Sequence, residues 1–169
     1  MFIGHGTFDG KAAKFNLQGP DLSAAELASW LKPFRRPLAV IDTSSSSGPF
    51  LSQLSATNRV VITATKSGME LNYARFGQYL SEAVLDLQAD LDKDGQVSLL
   101  EAYLSASHRV AEFYRTEGRL ATEHALHASV QDVSQHTPST QCSDVQSSLA
   151  EQGTPSAPGG LHAPAEQTY

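Results

Sequence analysis

Asp90, Asp92 and Asp94 stand at alternate positions, and Gly95, Gln96, Val97, Ser98 and Glu101 follow within one twelve-residue run. Carboxylates packed this densely repel one another unless a cation sits among them. A hard cation such as calcium takes roughly six to eight oxygen ligands, and this stretch offers them in a workable order. Asp90, Asp92 and Asp94 bring side-chain oxygens at loop positions 1, 3 and 5. Gly95 at position 6 permits a sharp turn. Gln96 at position 7 offers its main-chain carbonyl, and Ser98 at position 9 binds directly or through water. Glu101 at position 12 can close the shell with two oxygens. Ca2+ is therefore the cofactor expected at residues 90–101.

The spacing fits the EF-hand loop position for position. Val97, at position 8, is the apolar residue that pairs with a second loop in such proteins. No second loop occurs here, and position 13 is Ala102, where a larger apolar residue is usual. The expected affinity accordingly falls in the weaker part of the range from roughly 10⁻⁷ to 10⁻³ M. A plainer role is open to two of these residues. Ser98-x-x-Glu101 is also a capping box, in which each side chain satisfies a free backbone donor at a helix start.

Reactive residue types also gather at two strand ends. Gly4-His5-Gly6 follows Phe2-Ile3, and Asp42-Thr43-Ser44-Ser45-Ser46-Ser47-Gly48 follows Pro37-Leu38-Ala39-Val40-Ile41. In open α/β sheets, ligands collect at the carboxyl ends of strands. The following helix start adds a dipole that favours a developing anion there. His5 beside the hydroxyl of Ser44 or Ser45 would make a base and nucleophile pair. The plainer expectations are a serine turn that caps the next helix and a histidine bonded to backbone. His124 and His127 lack a third partner, so zinc is not expected. Arg35 and Arg36 read as a solvated pair in a loop.

The elements that must position these groups are legible in outline. Phe2-Ile3-Gly4, Pro37–Asp42 and Arg59–Thr65 are near-continuous apolar runs, as in strands buried on both faces of a parallel sheet. Ser23-Ala24-Ala25-Glu26 has capping-box spacing, and its helix should stop before Pro33. Tyr73, Phe76, Leu80, Val84 and Leu87 give one apolar helical stripe. Leu100, Tyr103, Leu104, Ala111 and Tyr114 give another, ended by Gly118. Strands alternating with helices imply an α/β fold with a mainly parallel sheet. The first strand starts at residue 1 or 2 and three strands make a thin sheet, so the domain is expected to be incomplete at its N-terminus.

The order of these parts resembles the caspase-like cysteine peptidases, the group of caspases, metacaspases and legumains. The shared features are an apolar strand then His-Gly, a helix, and a second apolar strand then Asp-x-Cys-x-Ser-Gly. The chain is similar in particular to bacterial members with an EF-hand-type loop later in the domain. The resemblance spans roughly residues 1–125. It implies a three-layer α/β sandwich, with His5 as the general base. The implied nucleophile falls on Ser44, or on Ser45 or Ser46 when counted back from Gly48, because this turn is one residue longer. Serine stands at every candidate position where the family has cysteine. A hydroxyl needs a well-placed base, whereas a thiol is partly ionised at neutral pH. The expectation is an inactive relative that binds calcium and acts as a scaffold or interaction module with a peptide or protein partner. The alternative is a peptidase or hydrolase that uses His5 with Ser44 or Ser45.

Composition bounds the rest. The chain has 169 residues and a net charge of -6, which argues against a nucleic-acid partner. No apolar run approaches the ~20 residues of a membrane span, and no signal peptide is evident, so no membrane partner and a cytoplasmic location by default are expected. The single cysteine, Cys142, excludes an internal disulfide. Residues 1–129 read as the folded domain. From residue 130 to 169 there is no Lys, Arg, Phe, Trp or Ile, and the composition predicts a disordered tail.

Overall fold

A computed structural model describes residues 1–130. The expected tail at 131–169, with Cys142, lies outside the described residues. Val130, assigned from composition to the tail, instead closes a strand.

Two three-stranded sheets and four helices make a mixed α/β fold. The first sheet is antiparallel. It joins β1 (Gly6–Phe8), β2 (Ala13–Phe15) and β3 (Leu22–Ser23), with Gly6 opposite Phe15. Helix α1 (Ala24–Leu31) follows, and the expected capping box forms: Glu26 N–H donates to Ser23 Oγ at 3.2 Å, and Ser23 N–H donates to Glu26 Oε2 at 3.0 Å. The second sheet places β5 (Arg59–Thr63) between β4 (Leu38–Asp42) and β6 (Leu126–Val130). Helix α2 (Gly48–Leu54) connects β4 to β5, which pair in parallel with Val40 opposite Val61. Helices α3 (Phe76–Leu85) and α4 (Leu99–Thr116) flank the acidic loop.

Helices cover both faces of this second sheet. Successive strand side chains alternate in direction. Val40 and Val61 join Phe50 and Leu54 of α2 and Ala24 and Leu27 of α1 in one core. Ile62 joins Phe76, Leu80 and Ala83 of α3 and Ala102, Tyr103, Ala106 and Val110 of α4 in the other.

Several expectations are corrected. Of the four strand pairings among the described residues, β4 with β5 alone is parallel. β6, which follows β5 in the chain after both α3 and α4, runs antiparallel to it. Phe2-Ile3-Gly4 is not a full strand. Phe2 makes a single parallel bridge with Asp42, through Phe2 N–H to Ile41 O at 2.7 Å and Thr43 N–H to Phe2 O at 3.1 Å. The helical stripes match burial in part. Phe76, Leu80, Tyr103 and Tyr114 are buried as expected, but Tyr73, Val84, Leu87, Leu100 and Leu104 are exposed, and Ala83, Ala102 and Ala106, outside the stripes, are buried. Small side chains there let α3 and α4 approach.

One buried carboxylate was not expected. Glu123 is 2% exposed and caps α3, accepting from Arg75 N–H at 2.9 Å and Phe76 N–H at 3.0 Å. Tyr114 Oη donates to it at 3.2 Å. A helix start leaves free N–H groups, and here a distant segment satisfies them.

Candidate functional site

The acidic loop is pinned at both ends and open between. Ala89 is buried before it, and Val97 and Leu99 pack on the α3–α4 core after it. Asp86 adds a tie: Arg109 of α4 donates to its Oδ2 at 2.5 Å, and Gln88 N–H donates to its Oδ1 at 3.0 Å. Residues from Leu91 to Gln96 are exposed.

Within the loop the backbone wraps the aspartates. Asp90 Oδ1 accepts from Asp94 N–H at 3.2 Å, and Oδ2 accepts from Gly95 N–H at 2.9 Å. Asp92 Oδ1 accepts from Asp94 N–H at 3.1 Å, and Asp94 Oδ1 accepts from Gln96 N–H at 2.8 Å. The turn requires φ values of 61° at Lys93 and 88° at Gly95. Glycine adopts the second without steric cost, as expected for position 6. One carboxylate oxygen each from Asp90, Asp92 and Asp94 then lies within 4.8 Å of the others, an arrangement that can chelate a cation. Asp94 N–H lowers the pKa of Asp92, but desolvation by the surrounding loop and the charges of Asp94, Glu101 and Asp90 outweigh it and the net direction is up. A divalent ion would relieve that repulsion.

Ser98 and Glu101 are held differently. They form the capping box of α4, with Glu101 N–H donating to Ser98 Oγ at 3.2 Å and Ser98 N–H to Glu101 Oε2 at 2.8 Å. Glu101 Oε1 also accepts from Leu91 N–H at 2.7 Å and Asp92 N–H at 3.2 Å. It thus ties the first residues of the loop to the start of α4. Hydrogen bonds from Ser98 foremost, then from Asp92 and Leu91, push its carboxyl down to about 2. Glu101 does not join the three-aspartate group. Gln96 is exposed and contributes its N–H to Asp94.

At the end of β4 the serine turn is closed on itself. Asp42 and residues 43–47 are all buried. Ser44 Oγ donates to Asp42 Oδ1 at 2.7 Å. Ser45 Oγ donates to Gly6 O at 3.0 Å and accepts Gly6 N–H at 3.3 Å. Ser47 does not cap α2 with its side chain, which corrects the expected helix cap. Its Oγ instead accepts Ala64 N–H at 3.1 Å and Thr65 N–H at 3.2 Å, fastening the turn to the end of β5. Burial pushes the Asp42 carboxyl up against the lowering effect of Ser44, and its Oδ2 has no hydrogen-bond partner.

His5 and Ser45 nevertheless face one cavity of about 410 Å³, shared with Thr43, Tyr73, Gln78 and Ser81. His5 is exposed, and its carbonyl accepts Asn16 N–H at 2.9 Å. The hydroxyl protons of Ser44 and Ser45 are donated to Asp42 and Gly6, not to the imidazole. Gly6 is what lets these parts touch. A Cβ there would collide with Ser45 O and crowd Ser44 Oγ. Sequence reasoning did not place Tyr73, Gln78 or Ser81 at a site; Tyr73 precedes α3, and Gln78 and Ser81 reach the cavity from α3 and carry no motif. Nor did it find the clamp role of Ser47. His124 pairs with Glu70 at 2.5 Å and His127 packs on Tyr103.

The chain matches none of the protein families, curated proteins or solved structures with which it was compared.

Proposed function

We propose that residues 90–101 bind calcium, within a caspase-like α/β domain whose peptidase site has lost its nucleophile. The observation that carries the calcium reading is the convergence of Asp90, Asp92 and Asp94 inside a loop of EF-hand length and order. The ion would take its oxygens from those three carboxylates, the Gln96 carbonyl and Ser98. Glu101 would complete the shell by giving up its hydrogen bonds to Leu91 and Asp92, a cost in line with a weak site. Helices on both faces of the second sheet are consistent with the three-layer reading, and the His5 and serine positions with the caspase-like one. With both serine protons bonded elsewhere, the domain acts as a calcium-stabilised scaffold or interaction module with a peptide or protein partner.

Calorimetric titration of calcium into wild type and Asp90→Ala tests this. A saturable heat is expected for wild type and none for the variant. Equal heats from both would end the calcium reading.

One observation favours a second reading. Ser45 and His5 border the same cavity, so rotation of the Ser45 hydroxyl away from Gly6 would bring it toward a base. A hydrolase of this kind would react with a serine-directed phosphonate and lose that reaction in His5→Ala. Absence of labelling in wild type rejects it.

A further inference from the structure

The connection between α1 and β4 is unlike the rest of the surface. Between Glu26 and Asp42 there is no acidic residue, and Lys32, Arg35 and Arg36 give this stretch a charge of +3 in a chain of net charge -6. Residues 32–37 are all exposed. Trp30 and Phe34 are 60% and 58% exposed beside these cations. Lys32, Arg35 and Arg36 make no ion pair among the described residues. Among the described residues the cations therefore have no acidic partner, and the Trp30 and Phe34 rings beside them are exposed.

We propose that Trp30, Lys32, Phe34, Arg35 and Arg36 form a contact site for an anionic lipid surface. Aromatic rings seat at the headgroup level, and adjacent Lys and Arg meet anionic headgroups. Cations alone would serve an acidic protein partner, but the two exposed rings among them favour the headgroup layer of a bilayer, where aromatic side chains seat. Nucleic acid would want a much larger cationic face than three side chains on an acidic protein. The contact concerns the bilayer surface and is compatible with the absence, among the described residues, of any helix long and apolar enough to cross a membrane.

Trp30, in the last turn of α1, is the single tryptophan, so its fluorescence reports on this patch alone. The full chain is mixed with phosphatidylcholine vesicles, with and without phosphatidylserine. A chelator is present throughout, so that the calcium reading has no bearing on the result. A blue shift of emission and co-sedimentation are expected with phosphatidylserine only, and both should fade at high salt. Removing one cation, as in Arg36→Ala, should weaken partition about fivefold. The variants lie on exposed side chains, and circular dichroism checks their fold. Three results overturn the proposal: no shift with phosphatidylserine, equal binding to neutral vesicles, or an emission shift with poly-glutamate or single-stranded DNA but not with vesicles.

Discussion

The serine turn at residues 42–48 and the acidic loop at residues 90–101 are both turns rich in short polar side chains bonded to nearby backbone. They differ in what remains after those bonds are counted. In the serine turn each of Ser44, Ser45 and Ser47 finds a fixed partner, in Asp42, Gly6 and the end of β5. An unpaired buried polar group is costly, and in this turn the Ser46 hydroxyl and Asp42 Oδ2 are the exceptions left without a partner. In the acidic loop the N–H bonds to Asp90, Asp92 and Asp94 still leave three carboxylates crowded at the surface. Water tolerates them, but the repulsion is not cancelled. Polar residues whose bonds close internally hold a fold together, and polar residues left in mutual repulsion are available to a ligand.

Substitutions can break this contrast. The largest effect is expected at Gly6, where alanine forces a Cβ into the Ser45 carbonyl. Overpacking against backbone should cost about 3 kcal/mol, read from denaturant unfolding. A variant as stable as wild type would mean that the turn is loose. Next is Ser47→Ala, which strands the Thr65 N–H, while the Ala64 N–H keeps its bond to Asp42 O at 2.9 Å. It should cost about 2 kcal/mol while leaving any calcium titration unchanged. A change in calcium affinity there would show the two regions to be coupled. In the loop the sign reverses. Asp94→Asn removes a like charge and should leave calcium-free stability within about 0.5 kcal/mol of wild type, or slightly above it, while weakening calcium binding.

The smallest effect is one of pH. The folded pKa of Asp42 lies above its unfolded value of 3.8. The folded state thus holds this proton more tightly than the unfolded chain. Its contribution is fully present below the unfolded pKa and is lost as pH rises through the folded one. Asp42→Asn should therefore compare more favourably with wild type at pH 7 than at pH 3. Thermal melts across that range check the trend, and a constant difference would place the Asp42 charge in a solvated setting.

Much of the loop was legible beforehand because an EF-hand pattern is local. Its order of oxygens and its glycine act over twelve consecutive residues, and the two capping boxes over four. The β4–α2–β5 unit was legible too, since continuous apolar runs mark buried strands. The hairpin β1–β2–β3 was not. Its strands are two or three residues long, and their pairing is decided by contact with Ser45 and the α1 core.

What the amino-acid sequence determined by itself is therefore short in range: an alternating order of carboxylates around a glycine turn, two helix starts and one parallel strand pair. The tertiary structure decided where each polar group finds its partner. It turned Ser47 from a helix cap into a clamp on β5, gave Glu123 the start of α3, and fixed Glu101 to the loop amides. These bonds join residues far apart in the chain, or depend on which groups burial leaves without water. No spacing along one strand of sequence encodes that competition.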